Sequence, residues 1–178
     1  MTSPPFQPNL NPTAIADTGR SAALPVDAPN VYPFPRDTAA SLPWKKVEAQ
    51  LRENRVYWLA TVRPDGRPHL APIWGAWVEN AFYFQGAPTS RWARNLAANP
   101  LATVHLESAV DVVIVDGAVD IVRTGPPLAA ALIAAWDTKY GAMTPSPETA
   151  DIFRLRARTV LAWGATLQDA ARWQFTAS

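Results

Sequence analysis

The chain has 178 residues, 48% of them hydrophobic and 17% charged, with a formal net charge of +1. That length suits one domain with a real core, and so even a balance gives no general field for nucleic acid or an anionic membrane surface. Without cysteine, and with only His69 and His105 as imidazoles, the chain has no disulfide framework or thiolate metal centre and too few ligands for a zinc enzyme.

Residues 1–43 hold nine of the 18 prolines and show no sustained period. Segments such as Tyr32-Pro33-Phe34-Pro35 favour extended backbone, so this stretch reads as an arm preceding a domain over residues 44–178. Its start lacks a basic segment followed by an apolar run, so no secretory leader is visible. No apolar run approaches the roughly 20 residues of a membrane span, and a cytoplasmic protein is expected.

A first helix is expected from Ser41 as N-cap, with Pro43 in its first turn and Trp44, Val47 and Leu51 forming one apolar stripe. Val56–Val62, rich in β-branched and aromatic residues, reads as a strand, and Arg63–Arg67 as a tight turn. The run His69–Val78 predicts one second strand, and Ala81–Gln85 a third, in an antiparallel meander. Thr89 or Ser90 caps a short helix to about Ala98, which Asn99-Pro100 stops. Strands near 102–107 and 111–122 follow, then a helix from Gly125-Pro126-Pro127 to Tyr140 with Gly141 as its stop. Two closing strands are expected at 153–157 and 159–163. The pattern predicts a mainly β fold of about six antiparallel strands, closed into a barrel so that few edges stay open.

Two segments stand out chemically. Arg91 and Arg94, three apart at the start of the helix after the third strand, oppose the helix dipole, which favours anions there. A bound phosphate resolves that conflict by taking bonds from free backbone N–H groups, the Thr89 and Ser90 hydroxyls and the guanidinium forks. Two solvated arginines on a surface helix are the alternative. The second segment is Pro68–Gly75. Proline inside a strand implies an edge or a broken ladder, and Pro72 and Gly75 would leave backbone groups open to a flat ring beside Ile73 and Trp74. Core packing of the tryptophans is the alternative there. His69 is a candidate to orient phosphate or substrate, with ordinary hydrogen bonding as the plainer reading. No G-x-G-x-x-G loop or G-x-S-x-G elbow is present.

In this order and spacing, Tyr57–His69, Pro72-Ile73-Trp74-Gly75, Phe82-Tyr83-Phe84, Ser90–Pro100 and the terminal Arg172-Trp173-Gln174-Phe175 resemble the pyridoxamine 5′-phosphate oxidase-like split barrels. The likeness is strongest to their flavin/deazaflavin oxidoreductase branch and covers roughly residues 44–175. The resemblance implies a six-stranded split β-barrel, homodimeric, with FMN or deazaflavin F-420 in grooves between subunits and a small conjugated substrate reduced or oxidised there. It implies that Ser90 and Arg91 hold the cofactor phosphate with Arg94 close by, and that Pro72, Ile73 and Trp74 border the ring. Gln85 and Gly86 would then lie beside the phosphate or ribityl chain, and Trp173 would cover the ring from the other subunit. One departure matters: the family commonly has lysine after that arginine, and here it is Trp92, which either stacks on a ring or packs on the barrel. The competing expectation is a non-catalytic barrel that holds a flavin, haem or tetrapyrrole.

Overall fold

A computed structural model of the chain describes residues 42–141, 151–165 and 169–175. Most of the expected arm and the proposed Ser41 cap lie outside the described residues. Helix α1 (Trp44–Glu53) starts after Pro43, which takes the N-cap position without a side-chain cap bond. It buries Trp44, Val47 and Leu51, the stripe expected from the sequence.

The strands are β1 (Tyr57–Val62), β2 (Pro68–Ile73), β3 (Gly75–Val78), β4 (Ala81–Phe84), β5 (Leu101–Leu106), β6 (Val112–Val122), β7 (Ile152–Trp163) and β8 (Ala171–Gln174). Helix α2 spans Arg91–Ala98 and α3 spans Pro126–Tyr140. The ladder runs β2-β1-β5-β6-β7-β4-β3, with β8 added on β7. Thus β2 and β3 lie at opposite ends of the hydrogen-bonded path, yet Trp74 alone separates them in the chain. The sheet must therefore curl until its two ends meet at that residue, which makes a barrel split along one seam.

The seven expected strand segments, read as a barrel of about six, become eight strands among the described residues through one split, one merger and one added strand. The expected strand 69–78 breaks at Trp74 because the chain leaves one end of the ladder and enters the other. The two expected closing strands are one continuous β7, within which Arg158 is an extra residue. Ala157 pairs Gly117 and Thr159 pairs Asp116, a register shift of the kind that bends a strand. A Cβ on Gly117 would collide with the Arg156 carbonyl, so glycine is required there. The Arg158 carbonyl is taken by the Phe175 N–H at 2.9 Å, and Ala171–Gln174 forms the further strand.

Inward residues of the curled sheet fill one core. Tyr57, Leu59, Val104, Leu106, Val113, Val115, Leu155 and Val160 are all buried, alternating along their strands as a one-sided sheet demands. Helix α1 closes against this core through Trp44, whose ring meets Trp77, Trp173 and Phe175 edge-on at centroid distances of 6.2, 5.3 and 5.5 Å. A second cluster seats α3 on β3 and β4 through Leu132, Trp136 and Tyr140. No helix among the described residues is long and apolar enough to cross a membrane.

Candidate functional site

Helix α2 begins as its sequence predicts. Ser90 has extended backbone angles, and its Oγ accepts from the Ala93 N–H at 3.2 Å. No acidic residue occupies the first turn, so the positive end of the helix dipole and the Arg91 charge point the same way. Arg91 and Arg94 are both exposed and lie about 60° apart around the axis. The helix packs on β1 and β2.

That packing carries a polar chain between the elements. The fully buried Asn95 donates from Nδ2 to Thr61 Oγ1 at 3.0 Å, and Thr61 Oγ1 lies 3.4 Å from His69 Nδ1. Because Thr61 Oγ1 already accepts from Asn95, its own proton is free for His69. The hydroxyl has a second lone pair as well, so the contact suits either neutral tautomer of His69. Burial, together with the charges of Arg63 and Arg91, holds His69 below the usual histidine range, so its ring is neutral near pH 7.

The charges of Arg63, at the end of β1, and of Arg91, at the start of α2, thus both act on His69 of β2. Arg63 was read from the sequence only as part of a turn. Its neighbour Arg67 is paired with Asp65 at 2.7 Å, and Asp65 is held low first by that side-chain bond. Among the described residues, no ion pair involves Arg63 or Arg91. The Arg63 Nε is buried without a hydrogen-bond partner, as is Asn95 Oδ1. The Arg63 Nε–H is a donor that an anion can satisfy, whereas Asn95 Oδ1 is an acceptor and does not point to one. The site fits a phosphate.

The remaining expected residues divide into groups. Pro72 sits on β2, an end strand, where a missing N–H is tolerated. Ile73 turns into the core. Trp74 is 45% exposed and stacks on Tyr140, with ring centroids 4.9 Å apart and planes 10° apart. From His69 to Ile73 the strand spans about 13 Å, which separates the basic cluster from the Trp74 corner by room for a ring and its phosphate tail. Thr89 is exposed at the lip of α2.

Gln85 and Gly86 lie on the other flank of α2. There, with Ala93, Leu96, Val119 and Phe153, they line a cavity of about 640 Å³ that the arginines do not border. Gln85 Nε2 is buried without a partner. A Cβ on Gly86 would stand 2.5 Å from the Trp92 indole, so glycine lets that ring in.

Two of the expected residues lie in the core, Trp92 in the second of its two expected places. Trp92 is 8% exposed and packs edge-on against Phe84 and Phe153 at 5.4 and 4.9 Å. It is a wall of the barrel and has no face free for a ligand. Trp173 is 3% exposed in the core of its own chain against Trp44, so it does not reach out to cover a ring. Indoles are more cheaply buried than exposed, and both positions lie on inward-facing sides of their elements.

The model of the family described as pyridoxamine 5′-phosphate oxidase matches residues 43–164. The chain belongs to that family. No curated protein matches its sequence. Among solved structures, one described as an F-420 reductase is similar at 28% identity and a TM-score of 0.51, over 64% of this chain and 94% of that one. A conserved hypothetical protein from Mycobacterium tuberculosis matches at 21% identity and a TM-score of 0.58, over 71% of this chain and 87% of that one. A haem-binding protein from Mycobacterium smegmatis matches at 24% identity and a TM-score of 0.55, over 70% of this chain and 55% of that one. The last two share the fold.

Proposed function

We propose that the chain is an FMN- or F-420-dependent oxidoreductase acting on a small conjugated substrate as a homodimer. The observation that carries this reading is that the charges of Arg63 and Arg91 both act on His69, with no ion pair to either arginine among the described residues. The similarity to an F-420 reductase supports the redox chemistry. Arg63 restores the cationic character that a tryptophan at position 92 removes.

When bound, the cofactor supplies hydride transfer at its ring. The protein's part is placement. Arg63, Arg91, the Ser90 hydroxyl and the first free amides of α2 hold the phosphate, and His69 donates to it in its Nε2-protonated tautomer. The open edge of β2 presents backbone groups from Pro72 onward, and Trp74 borders the ring. No side chain there is poised as a general base, so water is the proton source.

The dimer reading rests on the outer face of the sheet. Ladder partners place Pro72, Trp58, His105, Ile114 and Leu161 in one row across five strands. The next row is mixed, running from Leu70 and Ala60 into Thr103, Asp116 and Thr159, and Leu70 is exposed. The apolar row supports a subunit contact on this face.

Separate titrations with FMN and F-420, followed by fluorescence, test the reading. One of them should bind, and Arg91→Ala should weaken it by at least about 1.5 kcal/mol, the scale of a charge-assisted hydrogen bond. The apoprotein should sediment as a dimer. No uptake of either cofactor, or an unchanged dissociation constant in Arg91→Ala, rejects the assignment.

A haem- or tetrapyrrole-holding barrel is the second reading, and one observation favours it. His105 Nδ1 lies 2.7 Å from the Leu106 carbonyl. As the donor, Nδ1 leaves Nε2 unprotonated on the apolar outer face, the state an iron ligand requires. A Soret band on adding haemin, lost in His105→Ala, would select this reading.

A further inference from the structure

The Trp74 corner is held by a buried amine that the proposed chemistry does not use. Lys139, in the last turn of α3, is 8% exposed. Its Nζ donates to the Tyr57 hydroxyl at 2.5 Å and to the Gly75 carbonyl at 3.1 Å. Tyr140, the next residue, carries the stack on Trp74. Its hydroxyl accepts from the Gly75 N–H at 3.1 Å and donates to the Arg55 carbonyl at 2.6 Å, with the Gly75 carbonyl farther off at 3.1 Å. A phenol has one proton, and the shorter bond claims it. Lys139 is therefore the principal side-chain donor to Gly75, the residue on which the chain turns from one end of the sheet to the other.

The groups facing Lys139 offer it no counter-charge. Tyr57 comes from β1, Tyr140 from its own helix and Arg52 from α1, while β3 brings no titratable side chain. Burial pushes the Tyr57 and Tyr140 phenols up, so both stay neutral. Burial first, and then the Arg52 charge, pushes Lys139 down to about 7. A buried lysine without a carboxylate is costly when charged, which makes it a candidate functional position. The charged amine grips the Gly75 carbonyl with a bond roughly twice as strong as a neutral amine can make.

We propose that Lys139 is a positioning residue, whose protonation sets through the Gly75 carbonyl how Trp74 and the adjoining edge of β2 are presented to a bound ring. The assignment of the ring rests on the function proposed above. The coupling of Lys139 to Trp74 does not.

The test labels the apoprotein with 5-fluorotryptophan and follows the Trp74 fluorine resonance, identified by its loss in Trp74→Phe, from pH 5.5 to 9. In the wild type it should titrate with a midpoint near 7. In Lys139→Met, which keeps the length and apolar stem, it should be flat, and in Tyr140→Phe the titration should persist. A flat wild-type resonance, or the same titration in Lys139→Met, overturns the proposal. Should Lys139→Met fail to fold, Lys139→Gln carries the same comparison.

Stability gives a second readout. The folded state sheds the Lys139 proton before the unfolded chain does. From about 7 up to the ordinary lysine range the unfolded state binds more protons, and stability rises with pH. The gap in melting temperature between wild type and Lys139→Met should therefore move in the wild type's favour as pH increases, and a gap constant with pH counts against the proposal. Cofactor binding separates the two ideas. If neither FMN nor F-420 binds at any pH, the redox reading falls and the fluorine titration still decides Lys139. If one binds, its affinity should change about fivefold across neutrality in the wild type beyond any change in Lys139→Met.

Discussion

The two ends of β2 are built on opposite principles. Around Trp74 and Gly75 the polar groups are engaged: the Gly75 amide and carbonyl, the Tyr57 and Tyr140 hydroxyls and the Lys139 amine all bond to one another or to nearby backbone. Around His69 and the start of α2 the protein leaves the Arg63 Nε donor without a partner and brings the charges of Arg63 and Arg91 to bear on one ring. Closed networks fix a shape, whereas open ones cost stability that a ligand returns. The corner thus reads as the frame and the α2 lip as the receptor.

Substitutions at the two ends should behave differently. The largest effect belongs to the frame. A Cβ on Gly75 would strike the Phe82 ring and the Tyr83 carbonyl. Gly75→Ala should cost about 3 kcal/mol or more in denaturant unfolding, because the backbone has no room to yield. A loss below 1 kcal/mol would show the corner to be softer than its contacts imply.

An intermediate effect is expected where frame meets receptor. Thr61→Val removes the hydroxyl between Asn95 and His69 and strands the Asn95 amide in the core. The cost should be about 1–3 kcal/mol in stability. It should also free the His69 ring to reorient, visible as a changed imidazole resonance.

The smallest effect is a pure receptor property. Inorganic phosphate or FMN should raise the His69 titration midpoint, since an anion favours imidazolium and offsets the charges of Arg63 and Arg91. By linkage, that anion should bind more tightly as pH falls through the His69 range. A His69 midpoint unmoved by saturating phosphate would place the anion elsewhere.

Much of this was legible in the sequence because it is written in local chemistry. Ser90 as a cap, Pro126 and Gly141 bounding α3, and the α1 stripe each follow from a residue's own conformational preference. What escaped was set by long-range pairing. The break at Trp74 follows from where β2 and β3 find partners, and the continuity of β7 from a bulge at Arg158 that only its neighbour β6 reveals. At the site, Ser90 and Arg91 carried a visible conflict with the helix dipole. Arg63 did not, because a basic residue beside a turn looks solvated until β2 brings His69 against it. Trp92 and Trp173 were open for the reverse reason: an aromatic near a ligand motif has the same letter whether it faces the ligand or the core.

The hinge-like economy at Trp74 has a mechanical corollary. With a single residue bridging the two lips of the seam, neither ladder has slack to exchange with the other. A one-step slip of β2 along β1 would have to drag β3 along β4 by the same amount, turning both rows of side chains inside out at once. Each end of the sheet thereby proofreads the alignment of the other, and one extra residue inserted at this joint would uncouple them.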